Sequence, residues 1–287
     1  MTPREQGFLL LTQTLGDPGR KPLTVAQFRS LTRQAQEMER PLEDRELSMD
    51  DLIAIGCDFL TAEHILTLLS QTPLLEKYLE QAALRDCCPL PRVSEAYPHS
   101  LRQKLGTDSP GCLWAKGDLS LLHTPAIALV GSRELMPRNH SFAHEVGKQA
   151  ALQGFTLISG NARGADLTAQ ESCLAHGGKV ISVIADRLDK CPLQRCVLYL
   201  SEDGFDLPFS PQRALSRNRI IHCLPRCVFV AQVRARKGGT WSGAVRNLKH
   251  GWSPLLCFND GSEGTASLLA LGAAPIDFPN LSRLTLI

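Results

Sequence analysis

The stretch Ala126-Ile127-Ala128-Leu129-Val130-Gly131-Ser132-Arg133 decides the fold. Five apolar residues run without a polar break, stop at a glycine, and are followed by a hydroxyl and a cation. A short continuous apolar run of this kind predicts a strand buried on both faces, as in a parallel sheet. Outward from it the chain alternates. His140 to Leu152 has helical periodicity, Phe155-Thr156-Leu157-Ile158-Ser159 reads as a second strand, and Ala165 to His176 as a second helix. Lys179 to Ile184 predicts a third strand. Cys227-Val228-Phe229-Val230-Ala231 predicts a later one, followed by a helix from about Thr240 to His250. Leu255-Leu256-Cys257-Phe258 is expected to close the sheet, and a last helix to cover Gly264 to Leu271. Strands alternating with helices of this length predict a doubly wound, mostly parallel α/β sheet. In such a sheet ligands bind beyond the carboxyl ends of the strands.

Upstream, residues 1–84 read as a small helical domain, with the α/β domain taking 85–287. Thr24 is an N-cap candidate ahead of Val25, Phe28 and Leu31. Another helical unit starts near Ser48. Thr61-Ala62-Glu63-His64 resembles the start of a capping box, and Ile65, Leu68 and Leu69 make an apolar face behind it. Leu74, Leu75, Tyr78 and Leu79 continue the helical spacing. Pro89, Pro91 and Pro98 then mark the change of character.

Positive charge is concentrated. The formal net charge is only +2, yet residues 131–250 carry 17 basic and 9 acidic groups, against 9 and 13 in residues 1–85. Between Asp206 and Asp260 there is no acid, and nine basic residues: Arg213, Arg217, Arg219, Arg226, Arg234, Arg236, Lys237, Arg246 and Lys249. A run of arginines without carboxylates is the footprint of a polyanion site. The segment 207–259 is therefore expected to form one wall of a binding crevice. No apolar run approaches the length of a membrane span. The N-terminus shows no charged region followed by an apolar one, so a cytoplasmic location is expected. Ten cysteines occur without a C-x-x-C pair, which argues against structural zinc and leaves free thiols as the expectation.

Three strand-to-helix loops share one chemistry: Gly131-Ser132-Arg133, then Ser159-Gly160-Asn161-Ala162-Arg163-Gly164-Ala165-Asp166, then Lys237-Gly238-Gly239-Thr240. Each sets glycine, a hydroxyl and a cation at a helix N-terminus, where unpaired N–H groups and the helix dipole favour anions. Neither G-x-G-x-x-G nor G-x-x-x-x-G-K-[ST] is present, which argues against dinucleotide redox chemistry and P-loop hydrolysis. G-x-S-x-G is absent too. No catalytic residue, metal site or cofactor is expected. A fourth feature is Arg217-Asn218-Arg219-Ile220-Ile221, where Arg offers planar, bidentate contacts to phosphate.

In this order and spacing, the motifs resemble those of the DprA (Smf) family of DNA-processing proteins. That family carries G-[ST]-R, S-G-x-A-x-G-x-D and R-N-R-I-I segments and a late G-A, matched here by Gly272-Ala273. Tyr97-Pro98-His99-Ser100-Leu101 and Gly117-Asp118-Leu119 resemble its lead-in, so the likeness covers residues 90–275. It implies an extended Rossmann-like domain behind a small helical one, and a protein that binds single-stranded DNA without strong sequence preference. It also implies protection of incoming strands in natural transformation or recombination, hand-over to a RecA-type recombinase, and work as a homodimer. On it, Arg133, Arg163, Arg217 and Arg219 are the phosphate contacts, and Gly131, Gly160, Gly164, Gly238 and Gly239 admit the DNA backbone. Ser132, Ser159, Asn218, Lys237 and Thr240 complete the expected phosphate-binding set.

The chain departs from the pattern in places. Ala169-Gln170 stands where the family has Ala-His, Gly238-Gly239-Thr240-Trp241-Ser242-Gly243 replaces S-G-[ST]-L-x-T, and Phe258-Asn259-Asp260 replaces V-P-G. A divergent member without the family's C-terminal winged-helix domain is expected. Lys237-Gly238-Gly239-Thr240-Trp241 is also similar to the P-G-G-x-G-T-x-x-E loop of the LOG phosphoribohydrolases, which cleave nucleoside monophosphates. The acid of that motif is missing here. A nucleotide sensor that binds without cleaving is the third reading. Trp241 is a candidate surface for stacking bases.

Overall fold

The computed structural model describes residues 1–36, 47–202 and 204–286 of the chain. Part of the helical expectation for 1–84, at 37–46, lies outside the described residues. The rest is helical: α1 (Pro3–Thr12), α2 (Val25–Gln36), α3 (Met49–Ala54), α4 (Phe59–Leu69) and α5 (Thr72–Ala83). Thr24 does cap α2, with its Oγ1 accepting from the Gln27 N–H and the Gln27 side chain accepting from the Thr24 N–H. Thr61 does not start a helix. Asp58 is the N-cap of α4 and accepts from the Thr61 N–H at 3.0 Å, because the carboxylate one turn earlier is the better acceptor.

The described residues build one nine-stranded sheet. Its strands are β1 (Cys87–Pro91), β2 (Cys112–Gly117), β3 (Ala126–Val130), β4 (Thr156–Ser159), β5 (Lys179–Ile184), β6 (Val197–Glu202), β7 (Val228–Val230), β8 (Leu255–Phe258) and β9 (Ala274–Ile276). They lie in the order β1-β2-β6-β5-β4-β3-β7-β8-β9. From β6 to β9 every pairing is parallel, as expected; β1 and β2 join antiparallel at the other edge. Leu255–Phe258 does not close the sheet, since β9 pairs beyond it through Phe258 and Ile276.

Helices cover both faces: α6 (His99–Leu105), α7 (Pro137–Leu152), α8 (Ala165–Ala175), α9 (Pro211–Cys223), α10 (Gly238–His250) and α11 (Glu263–Ala270). The opening stretch explains why. In β3, Ile127 and Leu129 enter one core with Phe142 and Val146 of α7, while Ala128 and Val130 enter the other with Ile220 and Ile221 of α9. Period-2 alternation sends successive side chains to opposite faces, so a strand covered twice must be apolar throughout. Leu9, Leu10 and Leu75 share the first core with the sheet. Tyr78 of α5 sits edge-on to Trp114 of β2 at 5.3 Å, and its hydroxyl donates to Asp206 at 2.8 Å. A second set, Leu11, Leu52, Ala62, Ile65 and Leu68, packs among the N-terminal helices themselves.

No helix among the described residues is long and apolar enough to cross a membrane. The ten cysteines are free thiols.

Candidate functional site

A cleft of about 730 Å³ opens beyond the carboxyl ends of β3, β4 and β5, lined in part by Arg133, Gly160, Arg163, Asp186, Phe209 and Arg217. That size suits a small-molecule or one-to-two-residue polymer site. Arg133 follows β3, and Arg163 follows β4. Both are exposed, and neither has a hydrogen-bond or ion-pair partner among the described residues. Arg217 comes from α9, whose start is fixed by Ser210 as N-cap and Pro211 at the first helical position. The R-N-R segment is thus helical.

Arg217 is the buried member of the set, 8% exposed. Its guanidinium lies across Gly160: a Cβ built there would sit 1.6 Å from Nη1. Gly160 is glycine to admit this side chain. Gly164 has a different reason. Its φ is +90°, and a Cβ would meet the carbonyl oxygens of Ser132 and Arg133 at 2.5 and 2.4 Å. Only glycine takes that backbone and lets the first two loops interlock. Ser132 bonds the backbone of Gln232 through its N–H, at 3.0 Å, and through its hydroxyl. Ser159 is buried beside Asp166. Burial raises the Asp166 carboxyl above its ordinary range, against the pull of Arg217 and the Ala162 N–H. Burial lowers the Arg217 guanidinium. Gly160→Ala is expected to displace Arg217 and to reduce stability by about 1–3 kcal/mol, measured by urea unfolding.

Other expected contacts are engaged elsewhere. Arg219 pairs with the buried Glu202 carboxylate of β6 and does not line the cleft. Asn218 donates to the Gly239 carbonyl at 3.2 Å. Thr240 donates to the Gly131 carbonyl at 2.9 Å. The Lys237-Gly238-Gly239 loop therefore flanks the first loop, braced against it by Thr240, and stays outside the cleft lining. Gly131 lies behind Arg133 and carries that bond. Trp241 packs partly buried against the second core and is not among the residues that line the cleft.

The basic segment does not form one wall. Arg213 is turned inward onto the carbonyls of Ala185, Leu207, Pro208 and Glu202. Arg226 sits where β7 begins, its N–H bonded to the first residue of β3, at the opposite end of the strands. Arg246 lies over Trp252, and Lys249 is in the last turn of α10. Charge contiguous in sequence is distributed around the fold.

Sequence reasoning missed the part of the lining that follows β5, including Asp186, Arg187 and Lys190, and it missed Phe209. Phe209 is 51% exposed on the rim, its N–H held by Asp186 Oδ1 at 3.0 Å. Asp186 follows β5 and also accepts from the Arg187 N–H. The signal was available: a phenylalanine one residue ahead of a Ser-Pro helix start cannot be part of that helix's core face. Among the described residues, no group of three His, Cys, Asp or Glu side chains gathers where it could hold a metal ion. The lining combines guanidinium groups with an exposed aromatic ring, which suits a ligand with phosphates and flat rings.

Comparison with known proteins places the chain in a family. Residues 90–281 match the family described as DNA recombination-mediator protein A. Protein Smf of Escherichia coli is 31% identical over 204 residues, 66% of this chain and 54% of that protein. DNA processing protein DprA of Streptococcus pneumoniae is 33% identical over 180 residues, 57% of each. The chain spans little more than half the length of these relatives. The solved structure of DNA processing protein A from Streptococcus pneumoniae is similar with a TM-score of 0.70 at 26% identity, over 92% of both chains. That of DNA processing protein A from Helicobacter pylori, reported for its single-stranded DNA binding mode, gives 0.58 at 25% identity, over 70% of this chain and 95% of that one.

Proposed function

We propose that this chain, which belongs to the DNA recombination-mediator protein A family, binds single-stranded DNA in the cleft between Arg133, Arg163, Arg217 and Phe209. The observation that carries the reading is Arg217. A guanidinium 8% exposed, with no hydrogen-bond acceptor among the described residues, lines an open cleft beside two further arginines that are equally unpaired. A largely buried cation without an acceptor is costly, and an anion that enters the cleft would pair with the Nη groups of Arg217. Phosphates supply that anion. Phe209 supplies what a duplex cannot use, a face on which an unpaired base stacks. The site holds and releases a strand without making or breaking bonds. The wider reading is protection of incoming single strands in transformation or recombination and hand-over to a RecA-type recombinase. It includes action as a homodimer in the cytoplasm, and it rests on family membership.

Asp186 is the carboxylate that a nucleoside-monophosphate hydrolase of this fold group would need in the cleft. Its Oδ1 is occupied by the N–H groups of Phe209 and Arg187, so it serves as a loop brace. No release of free base from a nucleoside monophosphate is expected, and base release abolished by Asp186→Asn would replace the present reading.

A fluorescent oligonucleotide titrated at two salt concentrations, with duplex as competitor, tests the proposal. Arg133→Ala and Arg163→Ala should each weaken binding about tenfold at unchanged thermal stability. Each should also flatten the salt dependence by about 0.7 in log–log slope, the share of one phosphate on a single strand. Phe209→Ala should cost about 1–3 kcal/mol of affinity and leave the slope alone. Wild-type affinity for all three variants, or a preference for duplex, would remove the cleft as the DNA site.

A further inference from the structure

A second basic cavity lies at the far margin of the same sheet edge. β1 pairs antiparallel with β2, and β2 antiparallel with β6, so β1 runs the same way as β6 and its parallel neighbours. Arg92 follows the last residue of β1 and so lies beyond the carboxyl ends of the strands, as Arg133 and Arg163 do. β1 is three strands from β5, about 14 Å at ordinary strand spacing. Around Arg92 a cavity of about 530 Å³ is lined by Arg4 of α1, Arg102 of α6, and Gly106 and Thr107 just after α6. Its lining holds three arginines against one carboxylate, Glu95.

Two of these guanidinium groups are fixed from behind. Arg92 donates through Nη1 to the carbonyls of Thr107, at 3.0 Å, and Ser109, at 3.3 Å. Arg102 donates through Nη2 to the carbonyls of Ser94 and Tyr97. Nη2 of Arg92 and Nη1 of Arg102 have no acceptor among the described residues and are not buried. Each group is thus held in place with one end of its fork unused, the arrangement that suits a phosphate. Arg4 is exposed and has no hydrogen-bond or ion-pair partner among the described residues. Nearby carboxylates are occupied: Glu5 accepts from the Thr2 N–H at 2.8 Å, and Asp108 pairs with Arg29 at 3.1 Å. Pinning the backbone of residues 94–109 accounts for Arg92 and Arg102 as structure, but not for Arg4. Like charges gathered around one cavity repel, and a bound anion removes that cost.

We infer that this cavity is a second phosphate site, which takes the backbone of a single strand that extends beyond the first cleft. The inference rests on the reading of that cleft as the DNA site. Among the described residues no aromatic side chain lines the cavity, so it grips backbone without stacking bases. A short ligand therefore depends on the first cleft alone, and a long one on both.

The experiment titrates a fluorescent dithymidylate, which fits a one-to-two-residue cleft, and an oligothymidylate of about 16 nucleotides, the upper end of single-strand site sizes, at two salt concentrations. Arg4→Glu is the test variant, because an acid in the first turn of α1 suits the helix dipole. It should bind the longer ligand about tenfold more weakly and lose about 0.7 of salt slope. Dithymidylate affinity should stay within about twofold of wild type, since the two sites lie more than a Debye length of about 10 Å apart. Arg133→Ala should weaken both ligands. Should Arg4→Glu be destabilised, Arg4→Ala carries the same comparison. Wild-type affinity for the longer ligand at matched thermal stability would overturn the inference and leave the cavity to another acidic partner. Equal loss on both ligands would overturn it too, because the change would then act through the first cleft. If Arg4→Glu weakens the longer ligand and Arg133→Ala does not, the cleft loses its strand and the cavity keeps it. Absence of oligonucleotide binding by wild type would remove both.

Discussion

Arg219→Ala is expected to lower the free energy of unfolding by about 3–5 kcal/mol, because it leaves the Glu202 carboxylate buried without its counter-charge. Glu202 is 3% exposed at the end of β6, and its Oε1 accepts from both Nε and Nη2 of Arg219. Its other oxygen, Oε2, is buried with no hydrogen-bond partner, so nothing else stands ready to compensate. Replacing both residues, with Glu202→Leu added to Arg219→Leu, should recover much of the loss, since an apolar pair avoids the desolvation cost altogether. Urea unfolding measures the first effect and its repair. Oligonucleotide affinity, measured where Arg219→Ala is still folded, should match wild type within about twofold. A variant of normal stability with weakened DNA binding would restore Arg219 to the phosphate-contact set.

The contrast between Arg217 and Arg219 shows what the sequence could and could not say. Both belong to one R-N-R triplet, and both read equally well as phosphate ligands. Residues two apart on a helix point in different directions, so only one reaches the cleft while the other meets β6. No helix was assigned to the segment from sequence, although Ser210-Pro211 is a helix start of the ordinary kind. The parallel strands β3, β4, β5, β7 and β8 were legible from their apolar runs, whereas β6 and β9, parallel as well, were not read. The edge strand β1, Cys87-Cys88-Pro89-Leu90-Pro91, was not read either. Two prolines argue against a strand in mid-sheet, and this one is tolerated because it pairs on one side only. Among the glycine loops, the first two interlock through Gly164 and Ser132 and present their arginines together. The third has the same composition, yet Thr240 and Asn218 spend their polar atoms inside the protein. Composition identified candidate anion loops; which side chains remain unpaired is a property of packing.

Acid should destabilise this protein through one histidine on the helix that carries Arg217. His222 is 1% exposed, with its ring against Gly243 of α10 and Nδ1 without a hydrogen-bond partner. Burial pushes its pKa down from 6.5 to about 3. Between those values the unfolded chain binds a proton that the folded chain refuses. The unfolded state therefore holds more protons as pH falls below 6.5, and stability is lost progressively toward pH 3. The slope is about 1.4 kcal/mol per pH unit, so lowering the pH from about 7 to about 5 should remove about 2 kcal/mol. His222→Gln provides the comparison, because glutamine cannot take up the proton in either state. Whatever the substitution costs at pH 7, the difference between wild type and variant should shift by about 2 kcal/mol in the variant's favour by pH 5. Carboxylates elsewhere titrate alike in both proteins and cancel in that difference. Urea unfolding at the two pH values measures it, and parallel pH profiles would show that His222 accepts its proton in the folded state. The loss is one of stability: α9 either stays packed with a neutral His222 or unfolds, so protein that remains folded at pH 5 should keep the wild-type salt slope for oligonucleotide binding.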